Sequence, residues 1–235
     1  LPDSVTTLGS AAFTGSGKIT SLKLSAGLTA IPDAAFSAGA VADMKLTAIE
    51  IPYGVKTIGR NAFVGTHVEQ LTLPDTLTSI GQTAFQNHQL TELEIPGSVT
   101  TIGKQAFKLT QDNLAKKITK LTLNEGLETI GQEAFAGNAI TTVDLPSTVT
   151  LSHTNKTADL IFGTSTKAAE PIVTVKVADK TKADEWNTDL ANAKSHVVVY
   201  DKLVGSGWTA DDFTYDGTTI TGWSESGQAK RKSLR

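Results

Sequence analysis

The sequence predicts a solenoid of stacked coils, and three observations carry that prediction. A residue phrase recurs at a fixed step, IPYGVKTIGRNAF from Ile51, LPDTLTSIGQTAF from Leu73 and IPGSVTTIGKQAF from Ile95, each 22 residues after the last. Further copies keep the register: Leu1-Pro2 leads to Phe13, Leu24 to Phe36 and Leu123 to Phe135, and Leu145-Pro146 opens a last, degraded copy. The composition, 39% apolar but only 6% aromatic, suits an interior lined by Leu, Ile and Val.

Each coil opens on a short apolar stretch: Ile19, Leu22, Leu24; Leu46, Ile49, Ile51; Val68, Leu71, Leu73; Leu90, Leu93, Ile95; Ile118, Leu121, Leu123; Ile140, Val143, Leu145. The last three residues of each alternate in, out, in, the period-2 signature of a strand with one buried face. Pro after most of these strands cannot donate a ladder hydrogen bond, so it ends pairing and turns the chain. Leu8, Ile31, Ile58, Ile80, Ile102 and Ile130 supply a second buried row. Gly9, Gly59, Gly81, Gly103 and Gly131 follow five of them and suggest a backbone turn of positive φ. The Ala-Phe pair then fills the coil interior.

The phenylalanines Phe13, Phe36, Phe63, Phe85, Phe107 and Phe135 are 23, 27, 22, 22 and 28 residues apart. The two long intervals come from insertions after the Phe, within 37–45 and 108–117, where a solenoid tolerates them on turns. A repeat of roughly 20–29 residues with leucines at set offsets marks the leucine-rich-repeat class. The predicted fold is therefore a strand-rich, right-handed α/β leucine-rich-repeat solenoid with a parallel sheet on one face. A single coil cannot bury its own apolar side; stacked coils can. At ~4.8 Å per strand, six complete coils span on the order of 29 Å.

The array is read as residues 1–150. Segment 151–203 is expected to cap it, through a strand near Ile172 to Val177, a helix in TKADEWNTDLANA with Trp186, Leu190 and Ala193 on one face, and a strand HVVVY. Residues 204–235 read as a Gly/Thr/aromatic connector and basic tail. Asp216-Gly217 signals a hairpin there, with Trp208, Phe213, Tyr215 and Trp223 as its packing. Leu1 enters a repeat at its Pro turn without that repeat's strand, so the natural protein is expected to continue upstream.

Other composition features narrow the function. The absence of cysteine rules out disulfides and Cys-ligated zinc. A net charge of −3 provides no broad field for nucleic acid or anionic membrane. No run of 18 apolar residues exists, so no transmembrane helix is expected, and no signal peptide is present in this sequence.

The strand-Pro-turn-Ile-Gly-x-x-Ala-Phe consensus resembles the BspA-like leucine-rich repeats of large bacterial surface proteins, over roughly Leu1 to Val149. The hairpin segment DFTYDGTTITGWS is similar to a connector that precedes further repeats in some of them. The resemblance implies secretion, cell-surface display and adhesion to a host or microbial macromolecule, with no enzyme chemistry and no cofactor. The family often places a packing Cys three residues after the Phe. Ser16, Thr66, His88 and Asn138 stand at those positions in this chain.

Several motifs dissolve on inspection. Gly15-Ser16-Gly17-Lys18 imitates a phosphate loop, but Ala12 stands where Gly is needed and Ile19 where Ser or Thr is needed. LPDTL at Leu73 and LPSTV at Leu145 imitate a sortase signal without its Gly. Asp212, Thr214, Asp216 and Gly217 match part of a calcium loop whose position 12 is Trp223. His67 and His88 lie near one turn of adjacent coils, yet two imidazoles without a third ligand make a weak zinc site. Asn155-Lys156-Thr157 is a glycosylation sequon, expected to be irrelevant in a bacterial protein. No Ser/His/Asp set has a positional logic, so no catalytic, cofactor or metal residue is assigned.

Binding is expected on the outward strand positions. One column runs Ser21, Ala48, Gln70, Glu92, Lys120, Thr142, and the other Lys23, Glu50, Thr72, Glu94, Thr122, Asp144. From these, Lys23, Glu50, Thr72, Glu92, Glu94, Lys120, Thr122 and Asp144 form the candidate face, mixed and mildly acidic. Two readings compete: a protein-binding adhesive module, and a structural stalk that spaces other domains from the cell wall. The lack of aromatics on the face favours the stalk, and the irregular insertions favour binding.

Overall fold

The computed structural model describes residues 1–39, 46–110, 116–149, 161–162, 173–177, 179–181, 196–200, 213–216 and 219–224. In chain order its strands are β1 (Ala30–Ile31), β2 (Ala48–Glu50), β3 (Thr57–Ile58), β4 (Gln70–Thr72), β5 (Ser79–Ile80), β6 (Glu92–Ile95), β7 (Thr101–Ile102), β8 (Lys120–Leu123), β9 (Thr129–Ile130), β10 (Thr142–Asp144), β11 (Val173–Val177), β12 (His196–Tyr200), β13 (Phe213–Asp216) and β14 (Thr219–Trp223). All pairings are parallel except β13 with β14. Parallel neighbours separated by a whole repeat are what a solenoid requires, since each coil must return the chain to the same face.

The strands read from the apolar stretches form one face in three pieces, β2-β4, β6-β8 and β10-β11-β12. Residues 19–24 form no strand. Leu24 is buried while Ile19 and Leu22 are half-buried, and β2 pairs with β4 alone. The longest ladder lies elsewhere. The two-residue strands β1-β3-β5-β7-β9 run unbroken through five coils, built on the second buried row Ile31, Ile58, Ile80, Ile102 and Ile130.

Between the two faces each proline carbonyl accepts the N–H three residues on, as in Val5 to Pro2, Val55 to Pro52, Leu77 to Pro74, Val99 to Pro96 and Val149 to Pro146. These turns bring Val55, Leu77, Val99 and Val149 fully into the core, and Leu127 takes the same place after Asn124. The glycines after the second row do not take positive φ. The left-handed conformation falls two residues later, on Ala11, Ala34, Asn61, Thr83, Gln105 and Glu133, at φ 54–57°. Gly81, Gly103 and Gly131 are required by proximity instead: a Cβ there would stand 2.6, 2.5 and 2.4 Å from backbone atoms of the preceding coil.

The core is a column of phenylalanines. Phe13, Phe36, Phe63, Phe85, Phe107 and Phe135 stack with ring centroids 5.2–5.5 Å apart and planes within 7° of parallel. Phe162 adds a seventh ring, 6.0 Å from Phe135. Ile161 takes the place of the usual alanine there, its carbonyl accepting the Phe135 N–H as the Ala134 carbonyl accepts that of Phe107. The degraded copy thus keeps its core residues after losing its Ile-Gly spacing.

Past the array, β10-β11-β12 extends the first face with the two strands expected beyond residue 150. Lys180 and Thr181 are helical; the remainder of the helix expected over 181–193 lies outside the described residues. β13 and β14 form the hairpin signalled by Asp216-Gly217, with an irregularity between Thr214 and Tyr215. The turn itself, Asp212, Trp208, the sequon at 155–157 and residues 40–45 and 111–115 of the insertions lie outside the described residues, as do the side chains of Phe213, Tyr215 and Trp223.

Candidate functional site

Register places the expected columns side by side. Ala48 pairs with Gln70 and Glu50 with Thr72; Glu92 pairs with Lys120 and Glu94 with Thr122; Thr142 pairs with Thr174 and Asp144 with Lys176. Glu50, Thr72, Glu92, Glu94, Lys120, Thr122 and Asp144 are all exposed, while Ile49, Leu93, Leu121 and Val143 between them point into the core. This alternation follows from the pleat. Lys23 is exposed too, in the unpaired first segment, where its carbonyl accepts the Leu1 amino group.

The charges on this face are partly spent on one another. Lys120 Nζ lies 3.2 Å from Glu92 Oε2, with both side chains about two-thirds exposed. Such a pair is worth no more than about 1 kcal/mol. Glu94 Oε1 accepts from Asn124 Nδ2 at 3.1 Å. Among the described residues Glu50 and Asp144 carry no ion pair. A second exposed pair, Lys116 with Glu69 at 2.6 Å, joins the end of the second insertion to a coil two repeats earlier.

The turn after the phenylalanines holds the buried polar groups. Thr66, His88 and Asn138 occupy the position where the resemblance expects a packing cysteine, and all are buried. Each finds backbone partners. Thr66 Oγ1 donates to the Phe63 carbonyl. Asn138 Nδ2 donates to the carbonyls of Phe107 and Phe135, and its Oδ1 accepts the Ile118 N–H. His88 Nδ1 accepts the Leu90 N–H at 3.0 Å, which leaves Nε2 as the protonated nitrogen, 3.1 Å from the Phe107 carbonyl. Burial lowers the His88 pKa from 6.5 to about 4, against the raising effect of the bond to Phe107. His88 is therefore a neutral packing residue with both ring nitrogens bound to backbone, and it offers no lone pair to a metal. No group of three or more His, Asp or Glu among the described residues could hold a metal ion.

The left-handed column forms its own polar chain. Thr83 Oγ1 meets Asn61 Oδ1, and Glu133 Oε2 accepts from Gln105 Nε2 and Lys108 Nζ, each at 2.6 Å. Burial raises the Glu133 pKa, but the bonds from Lys108 and Gln105 outweigh it and the carboxyl titrates below its ordinary value. No one residue type marks this column, so the sequence carried no signal for it.

The fold is a repeat scaffold of stacked coils with polar side chains exposed along its strand faces. A family model for the BspA type leucine-rich-repeat region matches residues 1–44 and 38–156, in six copies. The chain belongs to this family. Among solved structures, a leucine-rich-repeat protein from Bacteroides ovatus is similar at 22% identity and TM-score 0.55, with 86% of this chain covering 57% of that one. The pneumococcal vaccine antigen PcpA is similar at 19% identity and TM-score 0.53, with 78% of this chain covering 42% of that one. The chain thus spans about half the length of these structures. No curated protein matches it.

Proposed function

We propose that the chain is a non-enzymatic binding module of a bacterial cell-surface or secreted protein, and that it captures a macromolecular partner on the face carrying Lys23, Glu50, Thr72, Glu92, Glu94, Lys120, Thr122 and Asp144. The observation that carries this reading is the register: seven of these residues stand exposed on neighbouring strands, one coil apart, over a continuous core. Solenoids bind through such extended surfaces. Membership of the BspA-type family supports a scaffold role over catalysis, and similarity to a pneumococcal vaccine antigen supports an extracellular setting. No helix among the described residues is long and apolar enough to cross a membrane. The exposed carboxylates Glu50 and Asp144, which form no ion pair among the described residues, favour a partner with basic groups.

The test is capture of the chain by a panel of immobilised host extracellular proteins, comparing wild type with Glu50→Lys/Glu94→Lys/Asp144→Lys. Loss of capture by the variant is expected; equal capture would remove the face from consideration. The unbroken column from Phe13 to Phe162 favours a second reading, a stiff spacer that holds other domains away from the cell wall. Deleting two coils would then shorten reach and abolish display without altering capture of any soluble protein.

A further inference from the structure

We propose that the outer surface of the β1-β3-β5-β7-β9 ladder, across its central coils, binds an acidic polysaccharide. This face is separate from the one proposed above and differs from it in chemistry. Its strand positions are Ala30, Thr57, Ser79, Thr101 and Thr129, short side chains that make a flat strip of hydroxyls. Beside them run Thr29, Lys56, Thr78, Thr100 and Glu128, and on the other flank Asp33, Arg60, Gln82, Lys104 and Gln132.

The central coils concentrate positive charge on this strip. Lys56, Arg60 and Lys104 are all exposed. None forms an ion pair among the described residues, whereas Lys108, Lys116 and Lys120 each do. The two acids of the strip lie on its outer coils, Asp33 before the cluster and Glu128 after it, while Asp75 stands one coil on from the exposed Tyr53 at its edge. Asp33 lies against Arg60, its Oδ1 accepting the Arg60 backbone N–H at 2.7 Å, and its charge offsets part of the positive field at that end of the cluster. Lys104 has Glu133 within electrostatic reach, but Glu133 is already held by Lys108 and Gln105. Coils three and five therefore present three cations that form no ion pair among the described residues, Lys56 and Arg60 on one coil and Lys104 two coils on, about 10 Å along the axis at ~4.8 Å per coil.

Hydroxyls and an aromatic complete the match to sugar. Thr78 and Thr100 donate their hydroxyls to the Lys56 and Thr78 carbonyls, which turns oxygen lone pairs outward as acceptors. The hydroxyls of Thr57 and Thr101 make no such bond among the described residues. Tyr53, three residues before Lys56, is 75% exposed, the one large hydrophobic so exposed among the described residues. A bare ring at the edge of the strip is a platform for the apolar face of a pyranose. A flat strip of short side chains offers no sockets for the protruding side chains of a protein partner. A nucleic acid would need far more than three cations, and the net charge of −3 opposes it.

Fluorescence polarisation on the full 235-residue chain with a labelled, size-defined heparin fragment tests the proposal, alongside neutral dextran and a DNA duplex of equal charge. The heparin fragment should bind, more weakly as salt rises, and dextran should not. Lys56→Gln/Arg60→Gln/Lys104→Gln should weaken binding roughly tenfold, with Lys18→Gln unchanged. Tyr53→Ala should weaken it about fivefold while leaving the salt dependence intact. All substitutions are at exposed positions, and far-UV circular dichroism verifies the fold. Undiminished binding by the triple variant overturns the proposal. An unaffected Tyr53→Ala, or duplex DNA bound as tightly as heparin, reduces the surface to unspecific charge and overturns it as well.

Discussion

Thr83 stands at φ 54°, a left-handed conformation that a β-branched side chain disfavours. Asn61 holds the same position one coil earlier at φ 57°, and asparagine is among the few residues that tolerate it. Thr83→Asn is expected to stabilise the fold by about 0.5–1 kcal/mol, read as a higher urea midpoint. His88 makes a prediction of opposite sign with pH. Its folded pKa, about 4, lies below the ordinary 6.5, so the native state holds it neutral while the unfolded chain takes up a proton below pH 6.5. Its contribution is complete above pH 6.5 and is lost as pH falls toward 4, by about 3 kcal/mol in all. His88→Asn, which reproduces the Asn138 side chain, should flatten that part of the pH dependence. Urea unfolding of both proteins at pH 7.5 and 4.5 measures the difference. The sequence placed His88 at the position of the family's packing Cys, but its neutral state was not legible, because that depends on the Phe107 carbonyl of the next coil.

The glycine that follows five residues of the second row separates two explanations at the level of the coil. Gly103→Ala would place a Cβ 2.5 Å from the Gln82 backbone nitrogen, and a clash with backbone cannot be relieved by a rotamer change. A loss of at least about 2 kcal/mol is expected. Gly9→Ala has nothing within 4 Å and should be close to neutral. Chemical denaturation of the two variants decides the point, since a positive-φ requirement would penalise both alike. The buried rows were legible in the sequence because periodicity reports directly on which side chains point inward. What the glycines do was not, because φ and close approach leave the same letter. The ladder β1-β3-β5-β7-β9 was equally hidden: strands of two residues are too short to show alternation, and they exist only through their neighbours. Phe162 was legible, with Leu160 and Ile161, as a remnant kept by the degraded copy, but not as a seventh ring of the column. Isoleucine replaced alanine before it, and irregular spacing broke the register that identified the other six rings.

For the whole molecule the phenylalanine column sets how stability is shared. Each phenylalanine ring stacks on the phenylalanines above and below, so removing one interrupts the array between two intact blocks. Phe85→Ala is expected to cost about 3–5 kcal/mol and to raise amide exchange in the coils of Phe63, Phe85 and Phe107, with the end coils less affected. Phe13→Ala, at a ring stacked on one side and only half-buried, should cost less and alter exchange locally. Hydrogen exchange resolved by peptide distinguishes this from a single cooperative unit, in which both substitutions would raise exchange uniformly. The candidate faces were readable only as columns of letters. Which carboxylates remain unpaired depends on cross-coil neighbours such as Lys120 and Asn124, and no local pattern announces them.

The coils are also a store of length. In the stack a coil advances the chain by ~4.8 Å, yet its 22 residues reach about 75 Å when drawn out at ~3.4 Å each. A pull applied between the two ends would be met by peeling one coil at a time, each release yielding about 70 Å of slack. Single-molecule force spectroscopy should record steps of that size, lengthened where the interval is 27 or 28 residues; one all-at-once extension would contradict it. A protein built this way and held between two bodies would act as a shock absorber, giving ground in increments before its attachment fails.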